Sequence, residues 1–340
     1  MNERVVLNEI KKRREYTLTR TSDLKNKLSG ANALLGNVAC IYATGSFGRL
    51  EASSRSDLDL FIVARSQEDQ EDEKGIKKSQ LKRLDEICIK ADLIKAIREL
   101  NIPDFDGDGK YLGHYSVDAF VKTLGAPDDD STNALTGRLL LFLESRPLLG
   151  NSVYSDVISD VTAAYWRDYE DHKENFAPAF LANDILRLWR TFCVNYEARR
   201  KTIPEKNKIS GKVKNYKLKH SRMLTCYSAL LYLLAIFKEN GTVSPKDAIK
   251  MTEKTPTERL EFLLTVDGIR ESRDTIERLL IQYDKFLVNT GESETPLEER
   301  FEDRESFHNL MSDSKLFGEL MFDAMQKIGR ESELFRLMVV

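Results

Sequence analysis

The segment Thr44-Gly-Ser-Phe-Gly-Arg-Leu-Glu51 is followed, after a short polar turn, by Ser56-Asp-Leu-Asp-Leu-Phe-Ile-Val63. An apolar run at 38–43 precedes the first segment, and a second apolar run ends the other; both have the length of a strand. Asp57 and Asp59 stand at the head of the second run. Because residues i and i+2 of a strand point to the same face, we expect the two carboxylates to lie side by side at a strand end.

Adjacent carboxylates of this kind bind divalent cations, and Mg²⁺ prefers carboxylates together with phosphate oxygens. We therefore predict that Asp57 and Asp59 are metal ligands for Mg²⁺ or Mn²⁺. A short helix over about 46–52 would offer free N–H groups at its start, which suit a triphosphate. Gly45 lets the backbone approach the phosphates, and Ser46 is predicted to contact the β- or γ-phosphate of a nucleoside triphosphate.

Arg49 is predicted to add positive charge to this phosphate site. An ion pair with Glu51 on the surface is the alternative for Arg49. The segment differs from a Walker P-loop, because no Gly-Lys-Ser/Thr follows the glycines, and it lacks the G-x-G-x-x-G spacing of a dinucleotide site.

The joint pattern of Gly45-Ser46, Gly48-Arg49, Glu51 and Asp57-x-Asp59 resembles the signature of the polymerase-β nucleotidyltransferase superfamily. The similarity extends over about residues 38–155. In this range, Leu112-Gly-His-Tyr-Ser-Val117 and the leucine-rich stretch 139–150 are similar to the bacterial PII-uridylyltransferase and its relatives. The resemblance implies an α+β fold, with a small mixed sheet and helices, and transfer of a nucleoside monophosphate by two metal ions.

Members of this superfamily normally present a third carboxylate from a neighbouring strand. The candidates here are Asp104, Asp106, Asp108 and Asp118, and we choose Asp108 as the third catalytic and metal-binding residue. A solvated loop is the alternative for this acidic tract. The tract 104–109 also imitates the start of an EF-hand loop. Position 12 of such a loop would be Tyr115 instead of a bidentate glutamate, so we expect no calcium site.

The pattern predicts two domains, a nucleotidyltransferase domain at 1–150 that includes an N-terminal helix at 3–29, and an all-helical domain at 151–340. The tract 66–78 is predicted to be a polar loop, and 297–338 a single helix. The apolar stretch 223–237 is shorter than the roughly 20 residues of a membrane span. We read it as a buried helix and expect a cytoplasmic protein with no membrane partner.

The net charge of −3 argues against a protein that binds nucleic acid over its whole surface. The stretch 199–222, however, is locally positive. It holds ten basic residues and one acidic residue: Arg199, Arg200, Lys201, Lys206, Lys208, Lys212, Lys214, Lys217, Lys219, Arg222 and Glu205. We predict that Lys217 and Lys219 bind the triphosphate or a polyanionic acceptor. A solvated basic loop is the alternative.

The predicted reaction moves a nucleoside monophosphate from a nucleoside triphosphate to a hydroxyl of a protein or small molecule and releases pyrophosphate. RNA ends or a second nucleotide, as in second-messenger synthesis, are alternative acceptors. A non-catalytic module that binds nucleoside triphosphate is the alternative of another class. His114 is a candidate base, or a neutral histidine bonded to the backbone.

Overall fold

The computed structural model describes residues 7–105, 112–200, 208–291 and 297–339. It divides into two compact units, one formed by residues 12–167 and the other by residues 1–11 and 168–340. Strands occur in the first unit, and in its described part the second unit is helical. The predicted α+β class is confirmed.

The first unit is built on a four-stranded mixed sheet. Its elements, in chain order, are α1 (Asn8–Lys27), α2 (Ser29–Leu35), β1 (Ala39–Thr44), α3 (Gly45–Gly48), β2 (Asp59–Ala64), β3 (Ser66–Glu71), β4 (Lys77–Ser79), α4 (Arg83–Glu99), β5 (Gly113–Ser116), α5 (Val117–Lys122), α6 (Asp128–Ser131), α7 (Ala134–Glu144), β6 (Arg146–Leu149) and α8 (Asn151–Tyr165). The strand order is β5-β2-β1-β6. β1 runs antiparallel to β2 and β6, and β2 runs parallel to β5.

Alternation along β2 decides which side chains face which layer. Leu60 and Ile62 belong to a core cluster that includes residues of α2 and α4. Phe61 points the other way, where it stacks on Tyr42 and contacts Tyr115. With the side-chain period of two, Asp59 starts β2 on the Phe61 side of the sheet.

The polar tract predicted to be a loop forms a second, two-stranded sheet, so that prediction was wrong. β3 and β4 pair antiparallel, and Gly75 closes the turn between them with a φ of +74°. The Gln67 side chain donates to the main-chain oxygen of Ser79 at 2.8 Å. The hairpin buries little apolar surface, and its strands carry polar side chains on both faces. The sequence therefore lacks the alternation of apolar and polar residues that indicates a strand.

The division between the units falls after Arg167, beyond the predicted boundary at 150. The reason is α8, which packs on β1 and β2 and buries Val153, Val157 and Val161. The first turn of α1, residues 8–11, is grouped with the helical unit, where the Ile10 N–H donates to Asp284 Oδ1 at 2.9 Å.

The helical unit comprises α9 (Ala179–Arg200), α10 (Lys208–Lys217), α11 (Met223–Asn240), α12 (Pro245–Thr252), α13 (Pro256–Leu263), α14 (Arg273–Asn289), α15 (Leu297–Glu302), α16 (Arg304–Gly329) and α17 (Glu333–Val339). A π-helical turn, Leu218–Arg222, joins α10 to α11. Across the described residues, this continuous segment, 208–240, is the one helix long and apolar enough to cross a membrane, and 78% of its apolar window is buried inside the structure.

Candidate functional site

The strand end predicted to carry the site brings Gly45 and Asp59 into contact. Thr44 at the end of β1 lies directly opposite Asp59 at the start of β2. Gly45 follows with a φ of +62°, a conformation that L side chains rarely adopt. A Cβ added there would clash with Asp59 Oδ2 and lie 3.3 Å from its Cγ. The glycine therefore allows the backbone to turn directly over the carboxylate.

The two aspartates flank a buried leucine. Leu58 and Leu60 point into the core, whereas Asp57 and Asp59 are half-buried. Asp59 begins β2 and Asp57 precedes the strand, and this alternation of burial supports the prediction that both carboxylates lie on the side away from that core. Within the part of the chain that the structure describes, no side chain pairs with Asp57. Its carboxylate is available to a cation.

Helix α3 is a single turn, Gly45–Gly48, and is shorter than the predicted helix over 46–52. Ser46 is half-buried in it, and N–H groups of a first helical turn have no acceptor inside the helix. The N–H of Gly45 is already engaged, because it donates to Glu144 Oε1 at 3.0 Å. Ser46 is thus in a position to contact an anion, whereas the N–H of Gly45 is not.

Arg49 is only 8% exposed and is bonded to two carboxylates. Its Nε donates to Glu51 Oε2 at 2.8 Å, and its Nη1 donates to Glu144 Oε2 at 2.8 Å. The pair with Glu51 that the sequence suggested is present, but it is buried instead of lying on the surface. This geometry lends no support to the prediction that Arg49 grips a phosphate.

Glu144 is the residue that sequence reasoning missed. It is the last residue of α7, and its side chain is fully buried. The available signal was an acidic residue directly after the apolar run 139–143, in the segment 139–150 on which the resemblance rests. Nothing in that segment indicates that its carboxylate reaches Gly45, 99 positions earlier.

A third carboxylate is not found among the described residues. Asp106 and the chosen Asp108 lie outside them. Asp104 is exposed and accepts hydrogen bonds from Nε and Nη2 of Arg98 at 2.9 and 3.0 Å. These hydrogen bonds lower the pKa of Asp104. Asp118 accepts from the N–H of Lys77 at 2.7 Å.

The strand register separates Asp118 from the predicted metal ligands. Asp118 follows β5, whose last residue lies opposite Ala64 at the far end of β2 from Asp59. With a rise of about 3.3 Å per residue, that end lies about 16 Å from Asp59. In the described ranges no group of three or more His, Cys, Asp or Glu residues could hold a metal ion. Asp57 and Asp59 remain the predicted metal ligands, and no third carboxylate joins them among the described residues.

His114 lies opposite Ile62, away from the aspartates, and bonds side chains instead of the backbone. Its Nδ1 is 3.1 Å from Glu86 Oε2, and its Nε2 is 2.8 Å from Ser79 Oγ. The ring thereby links β5 to α4 and to the end of β4. These contacts support a structural role for His114, and no contact relates it to Asp57 or Asp59.

Glu86 makes the first unit's stability sensitive to acid. Burial raises the pKa of Glu86, but hydrogen bonds and charges of Lys90 and His114 outweigh burial and lower it to about 2. A carboxylate with a depressed pKa stabilises the fold above its unfolded pKa and loses this contribution as the pH falls. We expect wild type to be more stable than Glu86→Gln at pH 7, and the difference to shrink as the pH falls from about 5 to about 2. Urea unfolding at a series of pH values measures it, and a difference independent of pH would contradict it.

Gly48 is required because two main-chain oxygens approach it. A Cβ at this position would lie 2.7 Å from the Ala43 oxygen and closer still to the Glu144 oxygen. Backbone atoms cannot swing aside as a side chain can, so Gly48→Ala should lower the free energy of unfolding by about 1–3 kcal/mol or more. Urea denaturation measures this loss. Gly318→Ala is the control, since its nearest neighbour, Met223 Cε, is 4.0 Å away; equal stabilities for the two variants would contradict the account.

Lys217 and Lys219 lie in the helical unit. Lys217 ends α10 and is exposed, and Lys219 stands half-buried in the π-helical turn. Two neighbouring cations lie over aromatic rings, Lys212 over Phe307 and Arg222 over Phe192. The stretch 201–207 of the basic tract lies outside the described residues. Contact of Lys217 and Lys219 with a triphosphate or acceptor stays a prediction.

Comparison of the chain with protein-family models, with curated proteins and with solved structures finds no match.

Proposed function

We propose that the chain is a Mg²⁺-dependent nucleotidyltransferase of the polymerase-β type, which moves a nucleoside monophosphate from a nucleoside triphosphate to a hydroxyl and releases pyrophosphate. The observation that carries the proposal is the close approach of Gly45 to Asp59 at the head of β2, with Asp57 two residues before it. In this proposal the glycine-serine turn binds phosphates, and the two carboxylates bind a metal beside it. The small mixed sheet agrees with the fold that the resemblance implies.

The residues present fit a metal-bound triphosphate in three respects. Asp57 and Asp59 offer hard oxygen ligands. Gly45, which has no Cβ, lets the main chain turn directly over the Asp59 carboxylate, where a Cβ would clash. The Thr44 hydroxyl, buried opposite Asp59, finds no hydrogen-bond partner among the described side chains and backbone; a buried polar group in that state points to a polar ligand or water beside it.

When bound there, Mg²⁺ would neutralise charge at the α-phosphate. Asp57 and Asp59 would hold it, with Asp108 as the proposed third ligand. The Ser46 hydroxyl and N–H would contact the β- or γ-phosphate and hold the leaving pyrophosphate. Positioning of this kind supplies a large part of catalysis in phosphoryl transfer.

The acceptor is proposed to be a hydroxyl of a protein or small molecule, in the cytoplasm. The basic residues Lys217 and Lys219 favour a polyanionic acceptor, such as an RNA end or a second nucleotide, as the alternative. No residue of the described site distinguishes one base of the nucleoside triphosphate from another.

A non-catalytic module that binds nucleoside triphosphate is the second candidate function. The observation that favours it is the lack of a third carboxylate within the described ranges. Such a module would keep the Gly45–Asp59 arrangement for binding and would not need to align an acceptor.

Pyrophosphate release separates the two candidates. The purified chain is incubated with each nucleoside triphosphate, Mg²⁺ or Mn²⁺, and a dialysed cell extract as the source of acceptor, with excess EDTA as the metal control. We expect pyrophosphate to form with at least one nucleotide, only with metal and only above the extract alone. Nucleotide binding without pyrophosphate would favour the binding module.

A further inference from the structure

A buried cluster of charges lies directly behind the Gly45 turn. It consists of Arg49, Glu51 and Glu144, called here the Glu144 cluster, whose side chains are 9%, 4% and 0% exposed. Arg49 stands between the two carboxylates and donates to each at 2.8 Å. Arg13, also buried, donates to the Glu51 main-chain oxygen at 3.4 Å. The formal charges of these two arginines and two glutamates sum to zero, as is expected where charged side chains are buried.

Glu144 holds helix α3 at both of its ends. Its carboxylate accepts the N–H of Gly45, the first residue of the helix, at 3.0 Å. Its main-chain oxygen packs so closely on Gly48, the last residue, that no Cβ would fit. Side chain and backbone of one residue therefore set the position of the whole turn, and with it the position of Ser46 relative to Asp59.

We infer that Glu144 is the positioning residue of the Gly45–Ser46 turn, and that Arg49 balances the charge of Glu144 instead of binding the phosphate. The inference rests on the proposed function. A carboxylate so near a phosphate site would repel the triphosphate if its charge were not balanced. The Arg49 guanidinium supplies that balance through a charge-assisted hydrogen bond. The cluster thereby lets an acidic residue anchor a turn that binds an anion.

Glu144→Gln tests the inference with little change in shape. The glutamine has one acceptor oxygen. The charged Arg49 guanidinium, the stronger donor, should keep that oxygen, so that the glutamine NH₂ group faces the N–H of Gly45. The turn should shift relative to Asp59, and displacements of about 1 Å in a positioned site cost about 10²-fold in rate. We expect kcat to fall about 10- to 100-fold, whereas KM for the nucleotide changes less, because Asp57, Asp59 and Ser46 remain.

Asp129→Asn is the matched control. Asp129 is a fully buried carboxylate that pairs with the Arg138 guanidinium at 2.7 Å, on the same unit but outside the Glu144 cluster. Both variants weaken a buried ion pair and should lower the melting temperature. The control should leave kcat of the folded protein unchanged, measured well below the melting temperature of each variant.

Amide hydrogen exchange at Gly45 gives a readout that does not depend on turnover. The hydrogen bond to Glu144 should protect this N–H in wild type, and Glu144→Gln should speed its exchange by about tenfold, whereas Asp129→Asn should not. Wild-type turnover with an unchanged kcat in Glu144→Gln would overturn the positioning role and leave the proposed function standing. Wild type that neither binds Mn²⁺–ATP nor turns over any nucleotide would overturn the proposed function, and the positioning role with it.

Discussion

Replacing Asp57 and Asp59 together by alanine should abolish pyrophosphate release, with a loss on the order of 10³-fold or more, which corresponds to about 4 kcal/mol of transition-state stabilisation. The expected loss is large because both predicted metal ligands disappear at once. Loss of the Asp57 carboxylate should change stability little, since it is half-buried and pairs with no side chain of the described residues. Removing two neighbouring negative charges also relieves their mutual repulsion.

The double variant is compared with Asp104→Ala in the same assay and in thermal unfolding. Asp104 is an exposed carboxylate paired with Arg98 on the surface, so its removal should leave turnover at the wild-type level. A double variant that melts within a few degrees of wild type and is inactive supports the site. Turnover above one tenth of the wild-type rate would mean that the aspartates do not carry the reaction.

Arg138→Met should lower the free energy of unfolding by about 3–5 kcal/mol. The guanidinium is fully buried and donates to both oxygens of Asp129 at 2.8 and 2.7 Å, and to the Tyr165 hydroxyl at 3.0 Å. Burial lowers the pKa of Arg138, but the hydrogen bonds and charge of Asp129 outweigh it and raise the pKa above its usual range. Without Arg138, the Asp129 carboxylate is left buried with its main counter-charge gone.

Urea denaturation measures this loss, and a second variant shows its cause. Arg138→Met with Asp129→Leu removes both charges, and replacement of a whole buried pair by apolar residues is often nearly neutral. The double variant should therefore recover most of the stability that the single variant loses. A single variant within about 1 kcal/mol of wild type would contradict the assigned cost, and a double variant less stable than the single one would contradict the assigned cause.

Strands β1 and β2 and the turn that follows β1 could be predicted from sequence because the relevant signals are local. Apolar runs define β1 and β2, and period two places Asp57 and Asp59 on one side. The β3–β4 hairpin could not be predicted, because its polar side chains show no buried face. Helix ends were harder to predict than helices. The segment 297–338, predicted as one helix, is divided at Asp303, which caps α16 by accepting the Ser306 N–H at 2.8 Å. Helix α16 then ends at Gly329.

The long-range contacts of the site were out of reach for a different reason. Glu144 contacts Gly45 only because β6 pairs antiparallel with β1. Neither segment carries a sequence signal that predicts this pairing. Arg49 looked like a phosphate ligand because its partner Glu144 lies 95 positions away. His114 likewise finds Glu86 and Ser79 through the packing of three separate elements.

Transfer of label from nucleoside triphosphates tests the central claim most directly. Each nucleotide, labelled at the α-phosphate or at the γ-phosphate, is incubated with Mg²⁺ and cell extract, with wild type and with the Asp57→Ala/Asp59→Ala variant. The account predicts that α-label, and not γ-label, appears on a protein, an RNA or a small molecule with wild type only, which names donor and acceptor class together. Label from the γ-phosphate, or equal α-labelling by the double variant, would contradict nucleotidyl transfer at this site.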